Sequence, residues 1–244
     1  MIKLKKIFIA GVAITAIFAG LFYLFPQRNN EDIKTENIIG QPIVSWQKTT
    51  ITEAMNNSII TINSPRMIIY GNYNLESKVN EAIMQQIEYS KDWFISGVTT
   101  VAEEDKEANI LDIDTEILLM TPRLISLAFT ATQHFAGSKD KEPERMFLVF
   151  DLVNGALIKE GNELFRDDQS WRDAVKVMKK TILADYQGDP NCDLFFAPKH
   201  NGFAASCIGV DQSRGNKHLS LTGDISISVI QEFLAPSALV DIIQ

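Results

Sequence analysis

The sequence predicts an α+β fold in which two main amphipathic helices pack on an antiparallel β-sheet, preceded by one N-terminal transmembrane helix. Three features predict it: two stretches with helical apolar spacing, several runs with strand alternation, and one long uncharged apolar run near the N-terminus. With 244 residues, 45% of them apolar and 22% charged, the chain has the composition of a globular protein with one sizeable core.

Residues 145–186 read as strand, turn, strand and helix. An apolar strand over residues 146–153 precedes Asn154 and Gly155, which favour a two-residue type I′ turn, and a return strand follows over residues 156–159. Asp167 or Asp168 is predicted to cap the next helix, because its carboxylate can accept hydrogen bonds from the first turn. One face of that helix carries Trp171, Val175, Met178 and Ile182. We expect this helix to lie over the hairpin as a two-layer core.

A second helix is predicted after Asn74, which can cap it. Its apolar side chains recur four residues apart, which places them on one face, and Gly97 marks its end. The residues of this stripe are Leu75, Val79, Ile83 and Ile87, with Phe94 near the end of the helix.

Strand alternation recurs on both sides of this helix. Residues 58–62 and 66–70 are rich in β-branched side chains and predict two strands or one kinked strand around Pro65. Residues 110–120 and 124–133 alternate between apolar and polar side chains, which predicts an antiparallel pair with one wet face.

The C-terminal third is predicted to be mostly strand. Residues 193–197 and 203–208 form a predicted hairpin, and alternation over residues 219–230 predicts another strand. The tail from Ala235 to Val240 is expected to form a short turn or helix, followed by a last apolar strand.

The N-terminal apolar run predicts a membrane anchor. Residues 7–25 carry no charge, and as a helix they would span about 28 Å, close to the hydrocarbon core of a bilayer. Lys3, Lys5 and Lys6 place the N-terminus in the cytoplasm. A cleaved signal peptide is the alternative, although bulky residues near Phe25 do not suit a peptidase. The predicted organisation is a cytoplasmic stub over residues 1–6, the anchor, a linker over residues 26–42, and an extracytoplasmic domain over residues 43–244.

The two cysteines, Cys192 and Cys207, are predicted to form a disulfide. A four-residue turn over residues 198–201 would place them directly opposite each other, whereas a two-residue turn at Asn201 and Gly202 would place Cys207 opposite Phe196. An extracytoplasmic location permits oxidation, and two buried thiols are the alternative.

Charge and motifs exclude several functions. The formal net charge is −8, and without the three N-terminal lysines the rest of the chain carries 20 basic and 31 acidic residues, a net charge of −11. This does not suit a nucleic-acid binder, but it suits a basic partner or simple solubility. The three histidines and two cysteines have no metal-ligand spacing, and no nucleotide or nucleophile motif occurs, so we expect no cofactor and no metal.

Acidic side chains supply the candidate partner-binding face. Asp112 and Asp114 share one face of a predicted strand, where they could pair for acid–base chemistry, although a solvent-exposed face is the simpler interpretation. An acidic segment precedes that strand, so the full candidate set is Glu103, Glu104, Asp105, Asp112 and Asp114. The three tryptophans, Trp46, Trp93 and Trp171, are interpreted as core residues.

The order of several segments from residue 43 to residue 244 carries a family resemblance. The segments are the helix from Leu75 to Ile83, the run from Leu124 to Phe129, the run from Phe147 to Gly155, residues 163–165, and the Ala-Pro-Ser-Ala tail at residues 235–238. In this order the chain resembles the extracytoplasmic domain of unknown function found in lysozyme-sensing anti-sigma factors and in membrane-anchored peptidoglycan deacetylases. The family's Gly-Gly-Ala-His-like loop is replaced here by residues 137–143.

The resemblance implies an α+β domain that binds or senses a lysozyme-like protein or a cell-wall component. Only about six residues precede the anchor, so we expect no cytoplasmic effector domain. The expected location is the cell membrane, with a single pass through residues 7–25 and the C-terminal domain outside. The alternative is a wall-modifying hydrolase or deacetylase-associated enzyme that uses Asp112 and Asp114.

Overall fold

The computed structural model describes residues 43–55, 57–98, 108–137, 142–158 and 161–243. The predicted stub, membrane anchor and linker, together with Glu103, Glu104 and Asp105, lie outside the described residues. Within the described ranges, no helix combines the length and the apolar character needed to cross a bilayer.

The described chain is a mixed α+β structure with two β-sheets, so the prediction of a single sheet is wrong. The larger sheet has six strands in the order β1 to β6, and the smaller has three, β7 to β9. Short 3₁₀ turns lie at Asn162–Leu164 and Gln212–Arg214. The elements are β1 (Val44–Met55), β2 (Ser58–Ile69), α1 (Tyr73–Val98), β3 (Asn109–Met120), β4 (Leu124–His134), β5 (Glu142–Asp151), β6 (Ala156–Ile158), α2 (Asp168–Ile182), β7 (Pro190–Lys199), β8 (Gly202–Asp211), β9 (Lys217–Ser226), α3 (Ile227–Ile230) and α4 (Pro236–Ile243).

The larger sheet is antiparallel except at one pair. Strands β2 and β3 run parallel, from Ser58 opposite Asn109 to Asn63 opposite Asp114. Parallel neighbours need a crossover connection, and α1 lies within the one that joins these two strands. The prediction of an all-antiparallel sheet is therefore wrong. The helix returns the chain to the end at which β2 starts, so β3 runs in the same direction as β2.

The predicted stripe of α1 is buried as expected. Leu75, Val79, Ile83, Ile87 and Phe94 pack in one core cluster against apolar side chains of the larger sheet. The start of the helix differs from the prediction, since the helix begins at Tyr73 and the Asn72 Oδ1 atom, not Asn74, accepts from the Leu75 N–H. The residues that α1 covers include Ile60, Met67, Leu111, Ile113 and Phe129.

Strand β2 runs without a break through Ser64 and Pro65, so the chain forms one strand there rather than two. The Tyr70 N–H donates to the Ile43 carbonyl, and the register with β1 is unbroken, so odd-numbered β2 residues direct their backbone groups away from β1. Pro65 is one of these, and the pairing with β3 has already ended at Asn63. The missing N–H of Pro65 therefore interrupts neither ladder.

Beyond Pro65, a side chain of α1 takes the place of a neighbouring strand. The Asn80 Oδ1 atom accepts from the Met67 N–H at 2.9 Å, and its Nδ2 atom donates to the Met67 carbonyl at 2.8 Å. The Glu76 carboxylate likewise accepts from the Ile69 N–H at 3.0 Å. These bonds satisfy backbone groups of β2 that β3 does not reach.

The β5–β6 hairpin has a longer turn than predicted. Asp151 pairs with Ala156, which leaves residues 152–155 as a four-residue turn in which Gly155, at φ 62°, is the positive-φ residue. The Asp151 carboxylate accepts from the Val153 N–H at 2.8 Å and from the Asn154 N–H at 3.0 Å. This side chain closes the turn locally, so the predicted type I′ geometry is wrong.

Helix α2 is capped as predicted but packs elsewhere. The Asp167 carboxylate accepts from the Ser170 N–H at 2.7 Å, which identifies Asp167 as the cap rather than Asp168. The buried side chains of α2, Ala174 and Met178, belong to one core cluster with Phe203 and Ala205 of the smaller sheet. The prediction that this helix covers its preceding hairpin is therefore wrong.

The smaller sheet also differs in register from both alternatives. Lys199 pairs with Gly202 around a two-residue turn in which Asn201 has φ 60°. Gly202 is the first residue of β8, and β9 passes so close to it that a Cβ atom there would collide with the Ile225 carbonyl. Cys192 consequently lies opposite Gly209, and Cys207 lies opposite Leu194. A disulfide joins the two cysteines diagonally, with Cα atoms 5.5 Å apart.

The last two predicted strand segments are helical. Strand β9 ends at Ser226, and residues 227–230 form α3 instead of continuing the alternation. The tail forms a short helix, α4, which was one of its two expected structures, and Pro236 takes the first helical position, which suits proline. The helix continues to Ile243, where the final strand was expected. Ile230 and Ile242 are fully buried, so both helices close the core beside α2.

The two sheets contact each other through β3, β4 and β5 of the larger sheet and the strands of the smaller one. The Ser220 hydroxyl donates to the Pro143 carbonyl at 3.1 Å, and His218 lies 3.4 Å from the Glu144 carboxylate. Every residue of β4 from Leu124 to Phe129 is buried, so on this strand the predicted solvent-exposed face survives only near Thr130 and Thr132.

Candidate functional site

Asp112 and Asp114 lie on the part of the larger sheet that neither α1 nor the smaller sheet covers. Asp112 stands between Thr61 and Thr132, and Asp114 stands between Asn63 and Thr130 on the same face. We call these six residues the open sheet face. Both aspartates are exposed, and neither forms an ion pair within the part of the chain that the structure describes. The face therefore presents carboxylates, hydroxyls and an amide on a pleated surface.

This geometry suits binding better than acid–base catalysis. Catalytic carboxylates are normally held in a concave, partly desolvated site that separates their pKa values. Asp112 and Asp114 instead project from an exposed strand, and the next carboxylate along, Glu116, is paired with Arg145 at 2.8 Å. Of the five acidic residues predicted as a partner-binding face, the structure describes these two, and it brings them together.

A second surface, on α1, was missed by the sequence interpretation. Tyr89 is 62% exposed and Trp93 is 47% exposed, so the prediction that Trp93 is a core residue is wrong. Trp46 and Trp171, by contrast, are partly buried against the two core clusters. The signal was present in the sequence, because Tyr89 and Trp93 are four residues apart and lie outside the apolar stripe.

Carboxylates flank these two aromatic side chains. Glu81, Glu88 and Asp92 are all exposed on the same solvent side of α1. We call Glu81, Glu88, Tyr89, Asp92 and Trp93 the α1 outer face. It points away from the larger sheet, whereas the open sheet face lies on the opposite side of that sheet.

Lys91, the lysine of α1 that is nearest in sequence to Tyr89 and Trp93, is turned toward β1. Lys91 lies 3.1 Å from Glu53 of β1 and 3.2 Å from Glu88. Burial opposes the charge of Lys91, but the hydrogen bonds to Glu53 and Glu88 outweigh it and raise the pKa of Lys91. Glu81 and Asp92 have no cationic partner within the described ranges, so the α1 outer face keeps negative charge beside its aromatic rings.

A third polar cluster is structural. The buried Asp211 carboxylate accepts from the Tyr186 hydroxyl at 2.5 Å, from the Asp189 N–H and from Ser213. The Tyr186 hydrogen bond, followed by that from Ser213, lowers the pKa of Asp211 to about 2. Arg214 adds an ion pair at 3.2 Å, so the oxygens of Asp211 are engaged in holding the chain beside the disulfide.

No metal centre is formed by the described residues. His134 ends β4, His200 lies in the β7–β8 turn, and His218 lies on β9. Within the residues that the structure describes, no three His, Cys, Asp or Glu side chains come together as a group that could hold a metal ion.

Comparisons with known proteins give structural neighbours of unknown function. No protein family and no curated protein matches the sequence. Among solved structures, the chain is similar to a DUF3298 family member from Bacteroides fragilis NCTC 9343, with a TM-score of 0.49 and 10% identity over 88% of this chain and 99% of that one. It is also similar to a DUF3298 family protein from Pseudomonas aeruginosa PAO1, with a TM-score of 0.45 and 10% identity over 86% of this chain and 97% of that one. Both neighbours thus belong to a family defined by a domain of unknown function. The relation to anti-sigma factors and peptidoglycan deacetylases that the resemblance implies stays a prediction.

Proposed function

We propose that the chain is a membrane-tethered extracytoplasmic binding domain that recognises a basic protein at the cell wall, such as a lysozyme-like hydrolase. The observation that carries this proposal is the α1 outer face, where exposed Tyr89 and Trp93 stand among Glu81, Glu88 and Asp92.

The composition of this face is typical of a binding hot spot with an acidic surround. Tyrosine and tryptophan dominate the binding energy of many interfaces, because their large rings bury apolar area at a small cost in side-chain entropy. An exposed tryptophan on a solvent-facing helix leaves that apolar area uncovered in the isolated chain. The surrounding carboxylates favour a cationic partner and would accelerate its encounter.

Two further features support an extracytoplasmic location. The disulfide between Cys192 and Cys207 is of the kind that persists in oxidising compartments. The uncharged run at residues 7–25, preceded by three lysines, has the sequence character of a signal anchor. The net charge of −11 beyond that point complements a basic protein.

Binding of hen egg-white lysozyme to the full-length chain in nonionic detergent tests the proposal. We expect saturable binding at low ionic strength that weakens as salt is added, since the screening length shortens to ~10 Å at 0.1 M. Cytochrome c serves as a basic control protein without a wall-hydrolase fold. Equal binding of both proteins, or no saturable binding of lysozyme, would reject the lysozyme version of the function.

Matched variants locate the surface. We expect Trp93→Ala to weaken lysozyme binding by roughly tenfold or more, the loss usual for a hot-spot aromatic residue. The double variant D112N/D114N, which neutralises the open sheet face, should leave the affinity within about twofold, because that face lies across the sheet. If D112N/D114N weakened binding and Trp93→Ala did not, the binding surface would include Asp112 and Asp114, and the α1 outer face would be rejected.

A further inference from the structure

Strand β1 lies at an edge of the larger sheet and is unusually long for an edge strand that has no protecting feature. It has 12 residues, and within the described part of the chain only β2 pairs with it. Edges of this kind are normally blocked by proline, bulges or several charges. From Gln47 to Ala54 this strand has no proline, no break in register, and only Lys48 and Glu53 as charged residues.

The backbone of β1 is oriented to receive another strand. Because the Ile43 carbonyl accepts from Tyr70, odd-numbered residues of β1 direct their backbone groups to β2. Even-numbered residues, among them Thr50 and Thr52, therefore direct their N–H and carbonyl groups to the outer edge. An added antiparallel strand would pair with these groups without disturbing β2.

An apolar strip borders this edge on the side of α1. Ile51 is 44% exposed and Met55 is 42% exposed, and Ile51 shares its face with the buried Ile62. Met84 of α1, also 44% exposed, lies on the helix flank from which Lys91 reaches Glu53 of β1. Lys91 thus joins this flank of α1 to the edge strand, and Ile51 and Met84 remain partly exposed.

We propose that this edge pairs with β1 of a second copy of the chain, antiparallel and centred on Ile51. A two-fold axis perpendicular to the sheet keeps each side chain on its own face, so residues whose numbers sum to 102 lie opposite each other. Thr50 then pairs with Thr52 of the second copy, with outward-directed backbone groups on both strands.

The side chains of β1 are self-complementary in this register. Ile51 meets Ile51 of the second copy on the apolar strip, and Thr50 opposite Thr52 is a favourable hydroxyl pair. Lys48 lies opposite Ala54 and Glu53 lies opposite Thr49, so no like charges are paired across the interface. A second copy supplies both the strand and the apolar side chain that this edge lacks.

Cysteine cross-linking of the full-length chain in detergent tests the register. In an antiparallel pair of strands, opposite residues that are not hydrogen-bonded to each other have the closest Cβ atoms. Ile51 would form such a pair with Ile51 of the second copy, because its own backbone groups are directed to β2. Oxidation should therefore convert Ile51→Cys to a covalent dimer roughly tenfold more completely than Thr49→Cys, whose sulfur would lie opposite Glu53. Thr49→Cys is the matched control, since it lies on the same face two residues away.

The mass in solution gives the second measurement. Light scattering after size exclusion should give a dimer for the wild type and a monomer for Ile51→Lys, with the same far-UV circular dichroism for both. A monomeric wild type at tens of micromolar, a dimer that survives Ile51→Lys, or equal cross-linking of the two cysteine variants would each overturn the pairing. Retention or loss of lysozyme binding has no bearing on these outcomes.

Discussion

Asn80 offers a test of how β2 is held beyond the end of β3. Its side-chain amide accepts from the Met67 N–H and donates to the Met67 carbonyl, and Met67 itself is fully buried. Asn80→Ala removes both partners at once, while alanine preserves the helix. The two Met67 groups would be left unpaired where water has little access.

The size of the effect follows from the cost of unpaired polar groups. A buried group without a partner costs ~1–3 kcal/mol, so we expect Asn80→Ala to lower the free energy of unfolding by about 3 kcal/mol. For a domain of this size the midpoint should fall by about 6–12 °C in a thermal scan. The exposed Asn74, also in α1, supplies the control, and Asn74→Ala should shift the midpoint by less than about 2 °C, as surface substitutions do. Equal midpoints for the two variants would show that water or other groups satisfy Met67 and would refute this account of the strand edge.

Two further predictions concern the smaller sheet. Because the folded-state pKa of Asp211 is lowered to about 2, its contribution to stability is present above the ordinary carboxyl pKa and is lost as the pH falls toward 2. In urea titrations from pH 7 to pH 2, the wild type should lose stability over the acid part of the range more steeply than Asp211→Asn, and Tyr186→Phe should reduce that slope; identical acid slopes would contradict the assignment. The disulfide closes a sequence separation of 15, which in the chain-entropy model is worth about 3 kcal/mol, so replacing Cys192 and Cys207 by alanine should lower the unfolding free energy by about that amount. Adding reductant to the wild type should lower the unfolding free energy by a similar amount. An unfolding free energy that neither change lowers would argue against a stabilising disulfide.

The sequence correctly predicted the features that depend only on residues close together in the chain. The stripe of α1 and the alternation of β3 from Leu111 to Ile117 depend on the spacing of neighbouring side chains, and both are confirmed. The predicted alternation fails beyond Ile117, because a register shift turns Leu119 toward the other core cluster. The cap at Asp167 likewise requires only an N–H three residues away. Such features are decided within one or two turns of chain, so the sequence contains all the information that they need.

Predictions failed where a distant segment decided the outcome. The two expected registers of the β7–β8 hairpin differed only in the position and length of the turn. The observed register is a third one, in which Gly202 pairs with Lys199 and lies against Ile225 of β9, a distant strand that the turn signals do not include. Helix α2 carries an apolar face that could cover any sheet, and its choice of the smaller sheet depends on Phe203 and Ala205, about 30 residues further along the chain. The exposure of Trp93 was missed because hydrophobicity alone does not tell a core tryptophan from a surface one.

The sequence by itself determined the α+β class, the residues of α1 that face the protein core, and the placement of Asp112 and Asp114 on one face of a strand. Only the tertiary structure decided that there are two sheets, that β2 and β3 run parallel, and that Tyr89 and Trp93 stay at the surface. The physical reason is that side-chain periodicity specifies which face of an element is apolar, whereas the partner of that face is selected by packing among segments far apart in the chain.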